Sequence, residues 1–108
     1  MERIEAKAKL WLEKGGKFIL SSGRAEILRK IEETGSLSEA AKAMGMSYSH
    51  AWSQLREMSK AAGGKLAKAS RGGKAGGSTT LTKLGKELLE KFEVEKERMD
   101  RHLAERNG

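Results

Sequence analysis

The 108-residue sequence contains no cysteine, which excludes disulfides, zinc knuckles and thiol catalysis. It also lacks the apolar run of roughly 18 residues that a membrane-spanning helix needs, so we expect no contact with a membrane. Its N-terminus lacks the apolar core of a signal peptide. We therefore expect a cytoplasmic protein, and the length favours a single domain over residues 1–108.

Residues that could carry catalysis or bind a cofactor are scarce and scattered. The two histidines, His50 and His102, are far apart, so neither a histidine metal site nor a catalytic triad is supported. Gly72 and Gly77 have the spacing of a P-loop, but Ser78 stands where that loop requires lysine. We therefore predict that the chain is not an enzyme and that it holds no cofactor or metal.

Positive charge is plentiful and unevenly distributed. The formal net charge is +7. Residues 1–80 hold 15 Lys and Arg against 8 Asp and Glu, whereas residues 81–108 hold 7 of each kind. Residues 56–80 alone carry 6 basic side chains and one Glu. Such a concentration favours a polyanionic partner, most often nucleic acid, although a soluble surface with extra lysines is the alternative.

The N-terminal segment predicts a β-hairpin. Ala8, Leu10 and Leu12 alternate with less buried residue types, which is the period of a half-buried strand. A glycine pair at 15–16 provides the turn, and residues 17–20 form the return strand.

Two helices joined by a short turn are predicted after this hairpin and a first helix. Helix 1 covers about residues 23–34, with Ile27, Leu28 and Ile31 as its apolar stripe and Gly35 at its end.

Helix 2 covers residues 39–44 and is capped by Ser36 or by Ser38. Gly45 suits the turn, because glycine adopts positive φ angles at little cost. Ser47 then caps helix 3, which runs to about Ala62. Adjacent small residues at Ala40 and Ala41 allow the close helix crossing of a helix-turn-helix over about residues 36–62.

Helix 3 has an apolar face and a polar face. The inward face is Ala51, Leu55, Met58 and Ala62. The outward face and its N-terminal flank, which we predict to contact DNA, comprise Ser47, Tyr48, Ser49, His50, Ser53, Arg56 and Lys60. Small hydroxyl residues leave the helix slim enough for the major groove, where Ser49, His50 and Ser53 would sense bases. An ordinary amphipathic helix with a solvated face is the alternative.

A basic, glycine-rich loop at residues 71–77 follows between two weak strands, at about 65–69 and 78–81. Backbone N–H groups at Gly72 and Gly73, with Arg71 and Lys74 beside them, suit an anionic surface. We expect this unit, about residues 65–81, to be a DNA-binding wing in which Arg71 and Lys74, like Arg56 and Lys60, hold phosphates. The alternative is a mobile hairpin loop without function.

The last helix is predicted from about residue 82 to 106, with Thr82 as its cap. Its apolar stripe, interrupted by Glu95, comprises Leu81, Leu84, Leu88, Phe92, Met99 and Leu103. A small domain cannot cover a stripe of about six turns, so we expect it to form a homodimer interface. The expected interface residues are Leu10, Trp11, Leu84, Leu88, Phe92, Met99 and Leu103. A helix folded back on its own domain is the alternative.

The segment from Gly35 to Trp52 closely resembles the DNA-binding domain of the molybdate-responsive ModE regulators. Its most specific part is Ser47-Tyr48-x-x-Ala51-Trp52. The glycine loop and the pattern Leu81-Thr82-x-x-Gly85 are also similar to that family, and the likeness covers about residues 8–92. The helix-turn-helix alone resembles the wider LysR-type group.

This resemblance implies a mainly α fold with small β elements. It implies a winged helix-turn-helix with an N-terminal β-hairpin, a glycine-rich wing and a long C-terminal dimerisation helix. It further implies a homodimeric transcriptional regulator, often a repressor of molybdate-uptake genes. Because the two recognition helices of a dimer would enter successive major grooves, we expect a near-palindromic operator in double-stranded DNA. ModE regulators carry C-terminal molybdate-binding domains, and this chain stops at Gly108, so we expect no direct molybdate binding by it. The alternatives are a non-specific architectural DNA-binding protein and a dimeric protein-interaction adaptor.

Overall fold

The computed structural model describes residues 2–70 and 78–108 and contains two β-hairpins and four helices within them. The first hairpin pairs β1 (Leu12–Lys14) with β2 (Lys17–Leu20). The helices are α1 (Ser22–Thr34), α2 (Leu37–Ala43), α3 (Tyr48–Ala62) and α4 (Lys83–Asn107). The second hairpin, β3 (Ala67–Ser70) with β4 (Ser78–Leu81), lies between α3 and α4. This is the winged helix-turn-helix architecture that the sequence predicts.

Local capping determines most of the helix boundaries. The hydroxyl oxygens of Ser36, Ser47 and Thr82 each accept a hydrogen bond from the backbone N–H three residues later, at 3.1 Å. Because Ser36 rather than Ser38 is the cap, α2 begins at Leu37, two residues earlier than predicted. Gly35 ends α1 in the left-handed conformation, as its position in the sequence predicts.

The predicted first strand is too long. Only Leu12–Lys14 is extended and paired, and residues 2–11 have no regular secondary structure. The return strand has four residues, and the register shifts between Leu12 and Glu13, so earlier residues have no strand partner there. Leu10 and Leu12 still rest partly buried against the core, whereas Ala8 is exposed.

One hydrophobic core joins the first hairpin, the helices and the base of the wing. Its members are Ile19, Leu20, Ala25, Ile27, Leu28, Ile31, Leu37, Ala40, Ala41, Ala51, Met58, Ala62, Leu66, Leu81, Leu89 and Phe92. Phe92, which we predicted at a dimer interface, is 1% exposed. Since its ring is already enclosed by its own domain, it cannot provide surface for a second copy.

The start of α4 is fixed tightly to the base of the wing. Thr82 donates its backbone N–H to the Leu66 carbonyl at 2.9 Å and its hydroxyl to the Lys65 carbonyl at 2.7 Å. Gly85 lies so close to the segment just before β3 that a Cβ there would be 2.1 Å from the Leu66 carbonyl oxygen. The fold therefore needs glycine at this position.

The second half of α4 leaves the core. The helix has 25 residues and is about 37 Å long at 1.5 Å per residue. Its buried residues end at Phe92. An ion pair between Arg29 and Glu93, at 2.9 Å, ties α4 to α1 near this point. Burial lowers the pKa of Arg29, but hydrogen bonds and the charges of Glu93 and Glu26 outweigh this effect, so the pKa is raised.

Candidate nucleic-acid interface

The turn between α2 and α3 has the tight geometry that the sequence predicts. Gly45 has a φ angle of +66°, and the backbone N–H of Met46 bonds back to the Ala41 carbonyl at 3.0 Å. Ala40 and Ala41 are buried where the two helices cross. With no larger side chain between them, α2 and α3 approach closely, and α3 is presented at the surface.

The outward face of α3 is uniformly exposed. All seven positions predicted there are exposed: Ser47, Tyr48, Ser49, His50, Ser53, Arg56 and Lys60. The opposite face packs inward through Ala51, Met58 and Ala62, with Leu55 partly buried. The Ser47 hydroxyl oxygen is engaged as the helix cap at the His50 N–H. The side chains of Ser49 and Ser53 extend from a helix whose opposite side is anchored in the core.

Arg24 fixes the orientation of α3 and was missed by the sequence analysis. Its guanidinium donates to Gln54 Oε1 at 2.7 Å, to Glu57 Oε2 at 2.7 Å and to the Ile19 carbonyl at 3.0 Å. The guanidinium carbon also lies 4.9 Å from the centroid of the Phe18 ring. One side chain therefore joins β2, α1 and α3. A single arginine in the first turn of a helix carries no periodicity that would have revealed this.

The wing is anchored to the helix-turn-helix through β4. The Thr79 N–H donates to the Gly35 carbonyl at 2.8 Å, and the Leu37 N–H donates to the Thr79 hydroxyl at 3.3 Å. Strand β3 begins at Ala67, two residues later than predicted. The predicted wing contacts Arg71, Gly72, Gly73 and Lys74 lie outside the described residues.

The wing base and α3 bring Arg56, a predicted contact, together with three residues that the sequence analysis did not single out as contacts: Trp52, Lys65 and Lys68. Trp52 is 47% exposed, and the Arg56 guanidinium carbon lies 5.4 Å from its ring centroid. Lys68, in β3, and Lys65, just before that strand, line the same groove as this pair. The density of lysine and arginine over residues 56–80 was the available signal for this basic surface.

The predicted dimer residues lie in different environments. Leu84, Leu88, Met99 and Leu103 are half-buried along α4, and Leu10 is half-buried against the core. Trp11 is 48% exposed, and its indole N–H donates to Glu13 Oε2 at 2.7 Å. Met99 and Leu103 lie beyond the core, on the second half of α4. The N-terminal segment borders the end of this half, since the Ala6 backbone and the Asn107 side chain exchange two hydrogen bonds of 2.9 Å and Leu103 lines a pocket with Arg3.

Residues 2–70 and 78–108 contain neither a candidate metal site nor a membrane-spanning helix. No group of three or more His, Cys, Asp or Glu side chains there is arranged to hold a metal ion. No helix among these residues is both long and apolar enough to cross a membrane.

Comparison with known proteins agrees with this geometry. The family model for bacterial regulatory helix-turn-helix proteins of the lysR family matches residues 23–86, from α1 through the helix-turn-helix and the wing to the start of α4. The chain is 31% identical over 91 residues to the transcriptional regulator ModE of Yersinia pestis, which covers 84% of this chain and 35% of that protein.

Two other relatives give the same alignment pattern. The DNA-binding transcriptional dual regulator ModE of Escherichia coli K12 is 32% identical over 91 residues, again 84% of this chain and 35% of that protein. The molybdenum-pterin-binding protein MopB of Rhodobacter capsulatus is 37% identical over 70 residues, which cover 65% of this chain and 26% of that protein. The chain thus spans about a third of the length of the ModE relatives. With its helix-turn-helix and wing matched in full, the chain belongs to the bacterial regulatory helix-turn-helix proteins of the lysR family, a family of DNA-binding transcription regulators.

Proposed function

We propose that this chain is a sequence-specific, DNA-binding transcriptional regulator that acts as a homodimer. The observation that carries the proposal is the exposed outer face of α3, which bears hydroxyl and basic side chains, while the opposite face packs against the core. A helix held in this way can enter the major groove, where Ser49, His50 and Ser53 would meet base edges.

Phosphate contacts would surround this reading surface. Arg56 and Lys60 follow one and two turns further along α3, and Tyr48 flanks its N-terminal end. Arg71 and Lys74, with the backbone N–H groups of Gly72 and Gly73, would lie along the backbone as the wing. Such contacts position a protein on the duplex, and base contacts supply the sequence preference.

Dimerisation would use the part of α4 that extends beyond the core. Met99 and Leu103 lie four residues apart on one side of this part of α4, and Leu84, Leu88, Leu10 and Trp11 would extend the contact. Phe92 is left out because it is buried. A two-fold dimer would place two reading helices about 34–36 Å apart, one helical turn of DNA, on a near-palindromic operator.

A link to molybdate is part of the proposal. It is supported by the names of the relatives, which include a molybdenum-pterin-binding protein and a molybdenum transport protein. We propose that residues 1–108 act as one DNA-binding domain and that the regulated genes concern molybdate or related oxyanions. No oxyanion site is assigned to the chain itself.

Titration of a labelled, mixed-sequence duplex by fluorescence anisotropy tests the DNA-binding role. Lys60→Ala should weaken binding. It should also make the slope of log affinity against log salt concentration shallower by about 0.9, the value for one lost phosphate contact. Lys91→Ala, which removes an exposed lysine from α4, is the matched control and should change neither quantity. Negligible binding at low salt by the unaltered protein would instead favour the protein-interaction adaptor.

A further inference from the structure

Packing in the hydrophobic core does not account for a tryptophan at position 52. Its neighbour Ala51 is fully buried, whereas Trp52 leaves 47% of its surface exposed. The Arg56 guanidinium carbon lies 5.4 Å from the ring centroid, a cation–π contact. An exposed tryptophan is typical of a contact site, since its body is large, apolar and rigid.

Trp52 forms one wall of an open groove of about 420 Å³ between α3 and β3. The floor is apolar and includes Leu55 and Ala67, both partly buried against the core. The rim carries three cations, Arg56, Lys65 and Lys68, and none of the eight described residues that line the groove is acidic. The groove therefore combines an apolar surface with concentrated positive charge.

A nucleic-acid backbone has the complementary pattern, because apolar sugar faces alternate with anionic phosphates. Trp52 lies three residues after Ser49 and one before Ser53, so it stands on the flank of α3 rather than at the centre of its reading face. A duplex that receives Ser49 and Ser53 in its major groove must pass one of its two backbones along a flank of the helix. The flank on the wing side is this groove.

We propose that the groove binds the sugar–phosphate backbone of double-stranded DNA. A deoxyribose packs on the Trp52 indole, and Arg56, Lys65 and Lys68 hold the adjoining phosphates. This inference rests on the proposed function and adds to it a subsite between the reading helix and the wing. Because the contacts are to backbone, the subsite strengthens binding to every sequence and does not choose among them.

Fluorine NMR of the full chain labelled with fluorotryptophan tests the proposal without altering the site. The two tryptophans give two resonances, and the one missing from Trp52→Phe belongs to Trp52. A mixed-sequence duplex is added at low salt while anisotropy reports binding in the same sample. We expect the Trp52 resonance to shift and to lose most of its response to exchange of H₂O for D₂O, as solvent leaves the ring.

The outcomes separate the two proposals. If anisotropy shows binding and the Trp52 resonance stays exposed, the groove is not a backbone site, and the DNA-binding role stands. If neither the mixed duplex nor duplexes selected from a random pool bind, both proposals fail. If single-stranded DNA protects Trp52 and outcompetes the duplex, the groove stacks bases and the assigned occupant is wrong.

Affinity measurements on variants give an independent test. Trp52→Ala should weaken selected and mixed duplexes by a similar factor, about tenfold or more, with Trp52→Phe losing less. Lys68→Ala should lower the slope of log affinity against log salt by about 0.9 unit, while Lys91→Ala leaves it unchanged. A loss confined to one selected sequence would overturn the backbone assignment. Should Trp52→Ala fail to fold, the NMR measurement on the unaltered side chain decides.

Discussion

Replacement of Gly85 by alanine tests how the wing base is joined to α4. Within a helix, Gly→Ala ordinarily stabilises a protein by up to about 1 kcal/mol, because glycine loses more backbone entropy on folding. Here the new methyl group would lie 2.1 Å from the Leu66 carbonyl oxygen, and contacts below 3.0 Å are essentially never found for a real Cβ. The obstruction is backbone, so α4 must move away from β3 by about 1 Å to reach van der Waals distance.

That displacement would lengthen both hydrogen bonds between Thr82 and the Lys65–Leu66 segment, which are 2.7 and 2.9 Å long. We therefore expect Gly85→Ala to lower the free energy of unfolding by about 1–3 kcal/mol, the usual cost of overpacking. A domain of about 100 residues loses roughly 4–8 °C in Tm for each kcal/mol. Chemical denaturation followed by circular dichroism measures the change.

Gly23→Ala is the matched control. Gly23 is also helical, but a Cβ there meets nothing within 4 Å. This variant should be neutral or more stable by up to about 1 kcal/mol. If Gly85→Ala proves as stable as Gly23→Ala, the close approach of α4 to β3 does not exist in solution, and the inferred coupling of wing and helix is refuted.

Three further predictions concern the wing, the dimer and the orientation of α3. The double variant Arg71→Ala, Lys74→Ala should bind all duplexes more weakly by a similar factor. The slope of log affinity against log salt concentration should become shallower by about one unit per lost phosphate contact. An unchanged slope in anisotropy titrations would exclude the wing contacts. Met99→Glu should yield monomers in analytical ultracentrifugation, whereas Arg101→Glu, on the opposite side of α4, should remain dimeric; dimers from both would place the interface elsewhere. Arg24→Met should lower the free energy of unfolding by roughly 1–2 kcal/mol, since α3 loses its link to α1 and β2. For the same reason, the variant should discriminate less between selected and random duplexes. Unaltered discrimination would show that this link does not orient the helix.

Features set by neighbours in the chain could be predicted from the sequence. The Ser47 and Thr82 caps act on N–H groups three residues away, and Gly35 and Gly45 adopt the positive φ angles that their positions require. The two faces of α3 follow from helical periodicity alone. These local rules were enough to place the helix-turn-helix and to predict its exposed face.

Features that depend on distant residues could not be predicted. Whether Phe92 packs on its own domain or on a second copy depends on where the core lies, and periodicity along α4 is the same in both cases. The bonds of Arg24 reach residues 30 and 33 positions away. The groove at Trp52 exists only because β3 folds back beside α3. Alternation over residues 8–12 suggested a longer strand because the pattern cannot reveal the absence of a pairing partner.

Selection of bound duplexes from a random DNA pool, with purified protein at physiological salt, tests sequence-specific recognition by α3. We expect recovery of a near-palindrome whose half-sites are about one helical turn, 34–36 Å, apart. DNA retained without sequence enrichment would contradict specific recognition by α3 and indicate an architectural protein. No retained DNA would contradict the DNA-binding role altogether.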